Sequence, residues 1–229
     1  MINFSNITLA SYEELCFLLD NGYPKKSALT FVANHYNYDE NERFILNRVA
    51  VPRHLVEKIK RNKIAEPSKL ANQVFTIDIY NQFTTFQTLF NNEPIILCRD
   101  GVFRDIFSLL HSKKELLFRK EMIKKFLFNV FKLKPHYIYL YFDKQRSKSG
   151  VHSTKFQNIL DKFELPGRCI VTKSVDHCLK VQTDVITFTH DSIILNEVQA
   201  GFDFIRWYIE NNTVKTQLID RFFNYHFGE

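Results

Sequence analysis

The chain has 229 residues, of which 45% are hydrophobic and 24% charged, enough for one large domain or two small ones with buried cores. No stretch approaches the roughly 20 apolar residues that span a bilayer, and the first residues lack the basic and apolar regions of a signal peptide, so we expect no membrane partner. The formal net charge of +6 and the pI of about 9.0 favour a polyanionic partner such as nucleic acid.

The first predicted elements are helices, which occupy residues 11–64. Ser11 and Glu14 have the spacing of a capping box, and Asp39 and Glu42 repeat that spacing before a later helix. The last of these helices has a basic face that is either a solvated surface or a phosphate-contacting one. That face consists of Arg53, Lys58, Lys60, Arg61 and Lys63.

A linker-like segment, AEPSKLAN, follows at residues 65–72 and separates two regions with different hydrophobic periods. We therefore predict a small all-α module over residues 1–69 and a second domain over residues 70–229. In the second domain, short apolar runs typical of buried strands alternate with helical segments. The predicted strands are 74–80, 94–98, 136–142, 168–173 and 185–190, and the main helices are 112–134, 152–164, 203–211 and 214–226. Such alternation predicts an α/β domain with a parallel sheet flanked by helices.

Aspartates lie at the carboxyl ends of the predicted strands, where ligands bind in parallel α/β sheets. These residues are Asp78, Asp100, Asp143, Asp176 and Asp191. Each one alone also has an ordinary interpretation as a turn, cap or solvated loop residue. Their joint placement at one sheet edge instead indicates a metal site, because a carboxylate near a buried strand end is costly unless it is paired or metal-bound. Oxygen-only ligands favour Mg²⁺ or Mn²⁺ as the cofactor.

The segments VFTIDIYN, VDHCLK and VITFTHDS together resemble the PIN and NYN metal-dependent nucleases. In that pattern Asp78 ends the first strand and Asp176 opens a short helix. Asp191 is the aspartate of a Thr-x-Asp segment that follows the last strand. DIYN resembles the DGYN opening of NYN members, although Ile79 replaces its glycine, and YLYFD resembles their central strand, which ends here at Asp143. The resemblance implies a PIN-like (Rossmann-like) fold and a nuclease.

The resemblance also assigns roles to the aspartates. It implies that Asp78, Asp143, Asp176 and Asp191 are catalytic and hold the metal ions. Asp105 competes with Asp143 for the last ligand position, and Asp100 is a weaker candidate.

Four further segments resemble the domain-of-unknown-function 434 family, which pairs a helical N-terminal segment with a PIN-like domain. They are NGYPKKSAL (21–29), ERFILNR (42–48), RDGVFRD (99–105) and RSKSG (146–150). This resemblance covers nearly the whole chain and supports the division into two parts, but it implies no particular activity.

Several polar side chains are candidate contacts to a nucleic-acid substrate, with RNA favoured over DNA. Near the aspartates these are Asn81, Arg104, Arg146, Ser147 and Ser149, and on the basic helix 112–134 they are Lys120, Lys124 and Lys125. A solvated helix face and a polar turn are the ordinary alternatives. A non-catalytic nucleic-acid-binding or toxin–antitoxin-like protein is the alternative function, and a homo-oligomer or a protein partner stays open.

The sequence also disfavours other functional classes and indicates a cellular location. Because neither GxxxxGK[ST] nor GxGxxG occurs, NTPase and dinucleotide-binding functions are disfavoured. The four cysteines have no CxxC spacing, so we interpret them as reduced thiols of a cytoplasmic protein. Among the histidines, His190 is of interest because it precedes Asp191.

Overall fold

The computed structural model describes residues 6–62, 67–106, 118–216 and 218–219. Its N-terminal part consists of four helices, as predicted. They are α1 (Leu9–Asp20), α2 (Lys25–His35), α3 (Glu40–Val49) and α4 (Arg53–Asn62), and a short 3-10 turn (Pro67–Leu70) follows them. Buried residues of α1, α2 and α3 form a common hydrophobic core.

The helix caps of this module were predicted correctly in one case and wrongly in the other. Asp39 and Glu42 form the expected capping box at the start of α3. The N-cap of α1 is Thr8, whose side chain accepts a hydrogen bond from the backbone N–H of Ser11 at 3.1 Å. The Ser11–Glu14 capping box was therefore wrong. Ser11 lies within the helix, where its hydroxyl binds the buried hydroxyl of Tyr38.

The second part of the chain is an α/β domain, which confirms the predicted fold class. Its strands are β1 (Val74–Asp78), β2 (Ile95–Leu97), β3 (Phe103–Asp105), β4 (Tyr137–Asp143), β5 (Gly167–Thr172), β6 (Ile186–Phe188) and β7 (Leu218–Ile219). Its helices are α5 (Ile79–Phe90), α6 (Lys120–Phe131), α7 (Ser149–Lys162), α8 (Val175–Lys180), α9 (Ser192–Glu197) and α10 (Phe204–Asn211). The main sheet has the order β5-β4-β1-β6, and its strands are parallel.

The strand predicted at 94–98 forms, but its assignment to the parallel sheet was wrong. β2 belongs to a separate three-stranded sheet, in which it pairs antiparallel with β3 and parallel with β7. The two faces of β2 contact different cores. Ile95 and Leu97 pack into the core of the α/β domain, whereas Ile96 and Cys98 pack into the core of the helical module. This small sheet therefore joins the two parts of the chain.

Two predicted helices differ from the structure or extend outside the described residues. Of the helix predicted at 112–134, the structure shows α6 (Lys120–Phe131). Residues 112–117 lie outside the described ranges. The helix predicted at 214–226 was wrong at its start, because residues 218–219 form β7; residues 220–226 lie outside the described ranges.

Polar contacts also connect the helical module to the α/β domain. Arg99, next to β2, donates two hydrogen bonds of 2.7 Å to the carboxylate of Asp20 in α1. Asn62, at the end of α4, donates its side-chain amide to backbone carbonyls at the end of α9, including that of Val198 at 3.1 Å. The end of α4 is thereby held against α9, the helix that directly follows Asp191.

All four cysteines are free thiols, with Cys16 and Cys98 buried and Cys169 and Cys178 half-buried. Within the described ranges, no helix combines the length and the apolar character that crossing a bilayer requires.

Candidate active site

Four of the predicted aspartates lie at the carboxyl edge of the parallel sheet, one after each strand. Asp78 is the last residue of β1 and Asp143 is the last residue of β4. Asp176 lies in the first turn of α8, after β5, and Asp191 is the N-cap of α9, after β6. Because the strands are parallel, their carboxyl ends share one edge, so the topology brings these four residues to the same side of the domain.

Asp78 is the most perturbed carboxyl group at this edge. It is half-buried and caps α5 by accepting a hydrogen bond of 3.2 Å from the backbone N–H of Asn81. Burial, with a smaller contribution from the charges of Asp176 and Asp191, raises the pKa of Asp78 to about 7 against the opposing effects of the Asn81 hydrogen bond and Arg146. Asp78 therefore lies in the electrostatic field of two other predicted site residues.

The loop that carries Asp191 is fixed to the first turn of α5, which directly follows Asp78. The carboxylate of Asp191 accepts hydrogen bonds from the backbone N–H groups of Ile193 and Ile194, at 2.7 and 3.3 Å. The side-chain oxygen of Asn81 accepts a hydrogen bond from the backbone N–H of His190. Asn81 therefore links the first turn of α5 to the strand end before Asp191.

Asp100 and Arg104 form a buried ion pair under the Asp191 loop. The guanidinium of Arg104 donates to both carboxylate oxygens of Asp100, to the hydroxyl of Ser192 at 2.8 Å, and to the carbonyl of His190 at 2.9 Å. Burial alone would raise the pKa of Asp100, but the charge and hydrogen bonds of Arg104 hold it below its ordinary value. These contacts use the guanidinium of Arg104 within the protein, so its structural role is to support the loop.

Asp105 lies in a second buried network, on β3 of the small sheet. Its carboxylate accepts a hydrogen bond of 2.8 Å from the hydroxyl of Thr85 and pairs with Arg48 at 3.3 Å. The Thr85 hydroxyl also lies 3.2 Å from Nδ1 of His190. Burial lowers the pKa of His190 to about 4, so its imidazole is neutral at physiological pH. The contacts of Asp105 therefore connect the helical module to the base of the candidate site.

The loop between β4 and α7 supplies an exposed basic group beside the aspartates. Arg146 is exposed, and its guanidinium carbon lies 5.9 Å from the centre of the Tyr80 ring. Ser147 is exposed, whereas Ser149 is buried at the first position of α7. The hydroxyl of Tyr80 forms a hydrogen bond of 2.9 Å with Nδ1 of His152.

Sequence reasoning did not identify Tyr80, His152, Thr85 or Arg48. Tyr80 belongs to the DIYN segment, and Arg48 ends the ERFILNR segment, so each lay within a quoted motif. Thr85 and His152 lie in ordinary helical segments, and no spacing in the sequence marks them.

The three predicted lysines lie on the exposed surface of α6. The ammonium of Lys124 lies 4.7 Å from the centre of the Phe163 ring, and that of Lys125 lies 4.8 Å from the Phe90 ring. Lys120 is the first residue of the helix. Phe118, two residues earlier, packs against Tyr80, so the start of α6 lies near the carboxyl edge of the sheet.

A metal ion at this edge would have to be held partly by water and substrate rather than by a closed protein cage. Within the described ranges, no three His, Cys, Asp or Glu side chains are arranged to hold a metal ion. Mg²⁺ commonly binds through one or two carboxylates and completes its shell with water and phosphate oxygens. The carboxylates of Asp176 and Asp191, whose charges act on Asp78, are the oxygen ligands that such a site would use.

We expect the Asp78 carboxyl to titrate near pH 7 in metal-free protein, because burial and two neighbouring charges favour its neutral form. Asp191→Asn removes one of these charges and should lower the pKa of Asp78, as measured by carboxyl-detected NMR. Asp161→Asn, at the end of α7 near the opposite sheet edge, is the matched control and should leave it unchanged. An Asp78 pKa that is ordinary, or that does not respond to Asp191→Asn, contradicts the described electrostatics.

The same pKa has a consequence for stability. The folded pKa of Asp78 lies above the unfolded value of 3.8, so the native state retains a proton that the unfolded state loses in this interval. Ionisation of Asp78 therefore lowers the free energy of unfolding as the pH rises towards 7. Asp78→Asn should accordingly raise the Tm more at about pH 8 than at about pH 4.

Family models match both parts of the chain. The profile of "Protein of unknown function (DUF434)" matches residues 9–62, which confirms the resemblance for the helical module. The motifs at 99–105 and 146–150 lie outside that match. An uncharacterized protein of Methanocaldococcus jannaschii is 28% identical over 195 residues, which cover 83% of this chain and 89% of the relative. No solved structure matches. The profile of "Domain of unknown function (DUF5616)" matches residues 67–207, more than half of the chain, so the chain belongs to the DUF5616 family.

Proposed function

We propose that this protein is a metal-dependent nuclease that hydrolyses phosphodiester bonds, with RNA as the preferred substrate and Mg²⁺ or Mn²⁺ as the cofactor. The observation that supports this most directly is the placement of Asp78, Asp143, Asp176 and Asp191, one after each strand of a four-stranded parallel sheet. Carboxylates gathered at such an edge provide oxygen ligands where α/β sheets bind their ligands.

The electrostatics of Asp78 supports a cation at this position. The negative charges of Asp176 and Asp191 disfavour ionisation of Asp78, beyond the larger effect of burial. A divalent cation would offset this repulsion and favour the ionised form of Asp78. We assign Asp78 and Asp191 as the main ligands, with Asp176 and Asp143 contributing directly or through water.

The roles of the surrounding residues follow from their contacts. A bound divalent ion would supply Lewis acidity for water and phosphate. Asn81 holds the first turn of α5, next to Asp78, against the loop that carries Asp191 through its contact with the His190 N–H. Arg146 is exposed and beside Asp78, so it can neutralise a phosphate oxygen; Ser147 lies next to it.

Two residues that the sequence placed in direct contact with metal or phosphate receive supporting roles in this proposal. Arg104 binds Asp100, Ser192 and the His190 carbonyl, and Asp105 binds Thr85 and Arg48. Both are buried. They fix the strand end and the loop that carry Asp191.

The exposed lysines of α6 are proposed to guide the nucleic-acid backbone toward the carboxyl edge. Lys120 lies at the end of α6 that is near Tyr80, and Lys124 and Lys125 continue along the same helix. Lysines that contact phosphates release counterions, which gives salt-dependent affinity without sequence preference.

Asp78→Asn and Asp191→Asn should each lower RNA cleavage by more than about 100-fold, because each removes ligand charge worth several kcal/mol of transition-state stabilisation. RNA binding should be largely retained, since the basic surfaces are unchanged. The measurement is the cleavage rate of labelled RNA and DNA panels with Mg²⁺ or Mn²⁺, alongside affinity without cleavage. Asp161→Asn, which removes an equal charge far from the site, is the control and should cut at the parental rate.

The alternative function gives a different result in the same assay. A purified chain that cuts neither RNA nor DNA with either metal, and that shows no divalent-ion binding by calorimetry, is not a nuclease. If that chain still binds nucleic acid, it is a non-catalytic binding protein.

Replacing Lys120, Lys124 and Lys125 together by Ala should weaken RNA binding and reduce the slope of log affinity against log salt by about 1 for each phosphate that is no longer neutralised. The matched control replaces Lys58, Lys60 and Arg61 of α4, which removes the same charge from the other basic face. Equal reductions of affinity in the two variants would indicate only a general charge effect and would contradict the assignment of α6 as the binding surface. Fluorescence anisotropy at several salt concentrations measures both.

A further inference from the structure

We propose that Tyr80 and Arg146 form a subsite for one unpaired nucleobase beside the reacting phosphate, which makes the substrate single-stranded. The inference rests on the proposed function for the position of that phosphate. Tyr80 follows Asp78 by two residues and lies in the first turn of α5, at the carboxyl edge of the sheet. Its ring is half-buried, so part of it remains open to a ligand.

The Tyr80 ring is held in place before any ligand binds. Its hydroxyl forms a hydrogen bond of 2.9 Å with Nδ1 of His152. The rings of Phe118 and Phe142 contact it edge-on, at centroid distances of 5.9 and 6.0 Å and interplanar angles of 81° and 87°. The ring of His152 is in turn stacked on Phe118 at 3.8 Å. A ring fixed in this way loses little conformational entropy when a base stacks on it.

Arg146 covers the Tyr80 ring with its guanidinium, whose carbon lies 5.9 Å from the ring centre. Although several carboxylates lie nearby, Arg146 forms no ion pair with any residue that the structure describes. An exposed arginine of this kind can leave the ring to bind a phosphate, and a flat nucleobase can then take its place on the ring.

The arrangement favours a single strand over a duplex. In a duplex the faces of the bases are stacked on one another, so an aromatic ring cannot reach them. In a single strand each base can turn onto an aromatic ring while its phosphate stays near the carboxylates. The chemical class of the ligand is therefore an unpaired nucleobase with an adjoining phosphate.

The test measures the affinity of the Asp78→Asn chain, in which we expect cleavage to be too slow to interfere, for three labelled oligonucleotides. These are a single-stranded RNA, a strand of equal length and charge with abasic sites in place of its bases, and the corresponding duplex. We expect the base-containing single strand to bind about 10-fold more tightly than the abasic strand. Tyr80→Leu should remove most of that difference, whereas Tyr80→Phe should retain it because the ring remains.

Arg146→Ala should weaken binding of the base-containing and the abasic strand alike, because it removes a phosphate contact. Tyr23→Leu, at an exposed tyrosine of the helical module, is the matched control and should change neither affinity. If the parent protein binds the abasic strand or the duplex as tightly as the base-containing strand, the subsite is refuted, whether or not the Tyr80 variants fold.

The outcome separates this inference from the proposed function. Cleavage without a base-dependent affinity would refute the subsite and leave the nuclease intact. A base preference that depends on the Tyr80 ring in the Asp78→Asn protein, together with no cleavage by the unsubstituted chain, would support the subsite and refute the nuclease.

Discussion

The parallel order of the four-stranded sheet is the constraint on which the candidate site depends. Each strand ends at the same edge, so an aspartate placed after each of β5, β4, β1 and β6 is delivered to one side of the domain. The central position of β1 puts Asp78 between the ends of its two neighbours, β4 and β6. Burial of this carboxyl group and the charges of Asp176 and Asp191 together raise its pKa to about 7.

Polar contacts with the rest of the molecule fix the position of the residues at that edge. The buried pair of Asp100 and Arg104 supports the loop around Asp191 from below, and Asn81 joins the same loop to α5. The helical module contributes through Arg48, which pairs with Asp105 next to the buried His190. A chain of polar contacts therefore runs from α3 to the strand end of β6. Removing one partner of a buried pair leaves an uncompensated charge, so these contacts couple the module to the site energetically.

Sequence alone predicted the parallel strands and the aspartates after them, because buried strands have continuous apolar runs with polar residues at their ends. The same reasoning assigned β2 to the wrong sheet. The run PIILC is apolar throughout because Ile95 and Leu97 face one core while Ile96 and Cys98 face another. An apolar run does not show which sheet a strand joins.

Some residues of the candidate site were predicted and others were not, because a contact between residues far apart in the chain leaves no pattern in the sequence. Asp78 and Asp191 stand at strand ends that the sequence marks, whereas the Tyr80–His152 contact joins residues 72 positions apart. Arg104 was predicted as a phosphate contact, whereas in the structure its guanidinium pairs with Asp100. The pairing of these two becomes visible only when β2 and β3 form a hairpin and bring them under the Asp191 loop.

In the proposed site, Asp78 and Asp191 share a divalent cation. Anomalous diffraction from a crystal containing Mn²⁺ tests it most directly, because the scattering locates the ion without assuming its ligands. We expect an anomalous peak in contact with the carboxylates of both residues, with water completing the coordination shell. A crystal that binds Mn²⁺ elsewhere, or that has no peak beside Asp78 at saturating Mn²⁺, would show that the two aspartates do not form a metal site.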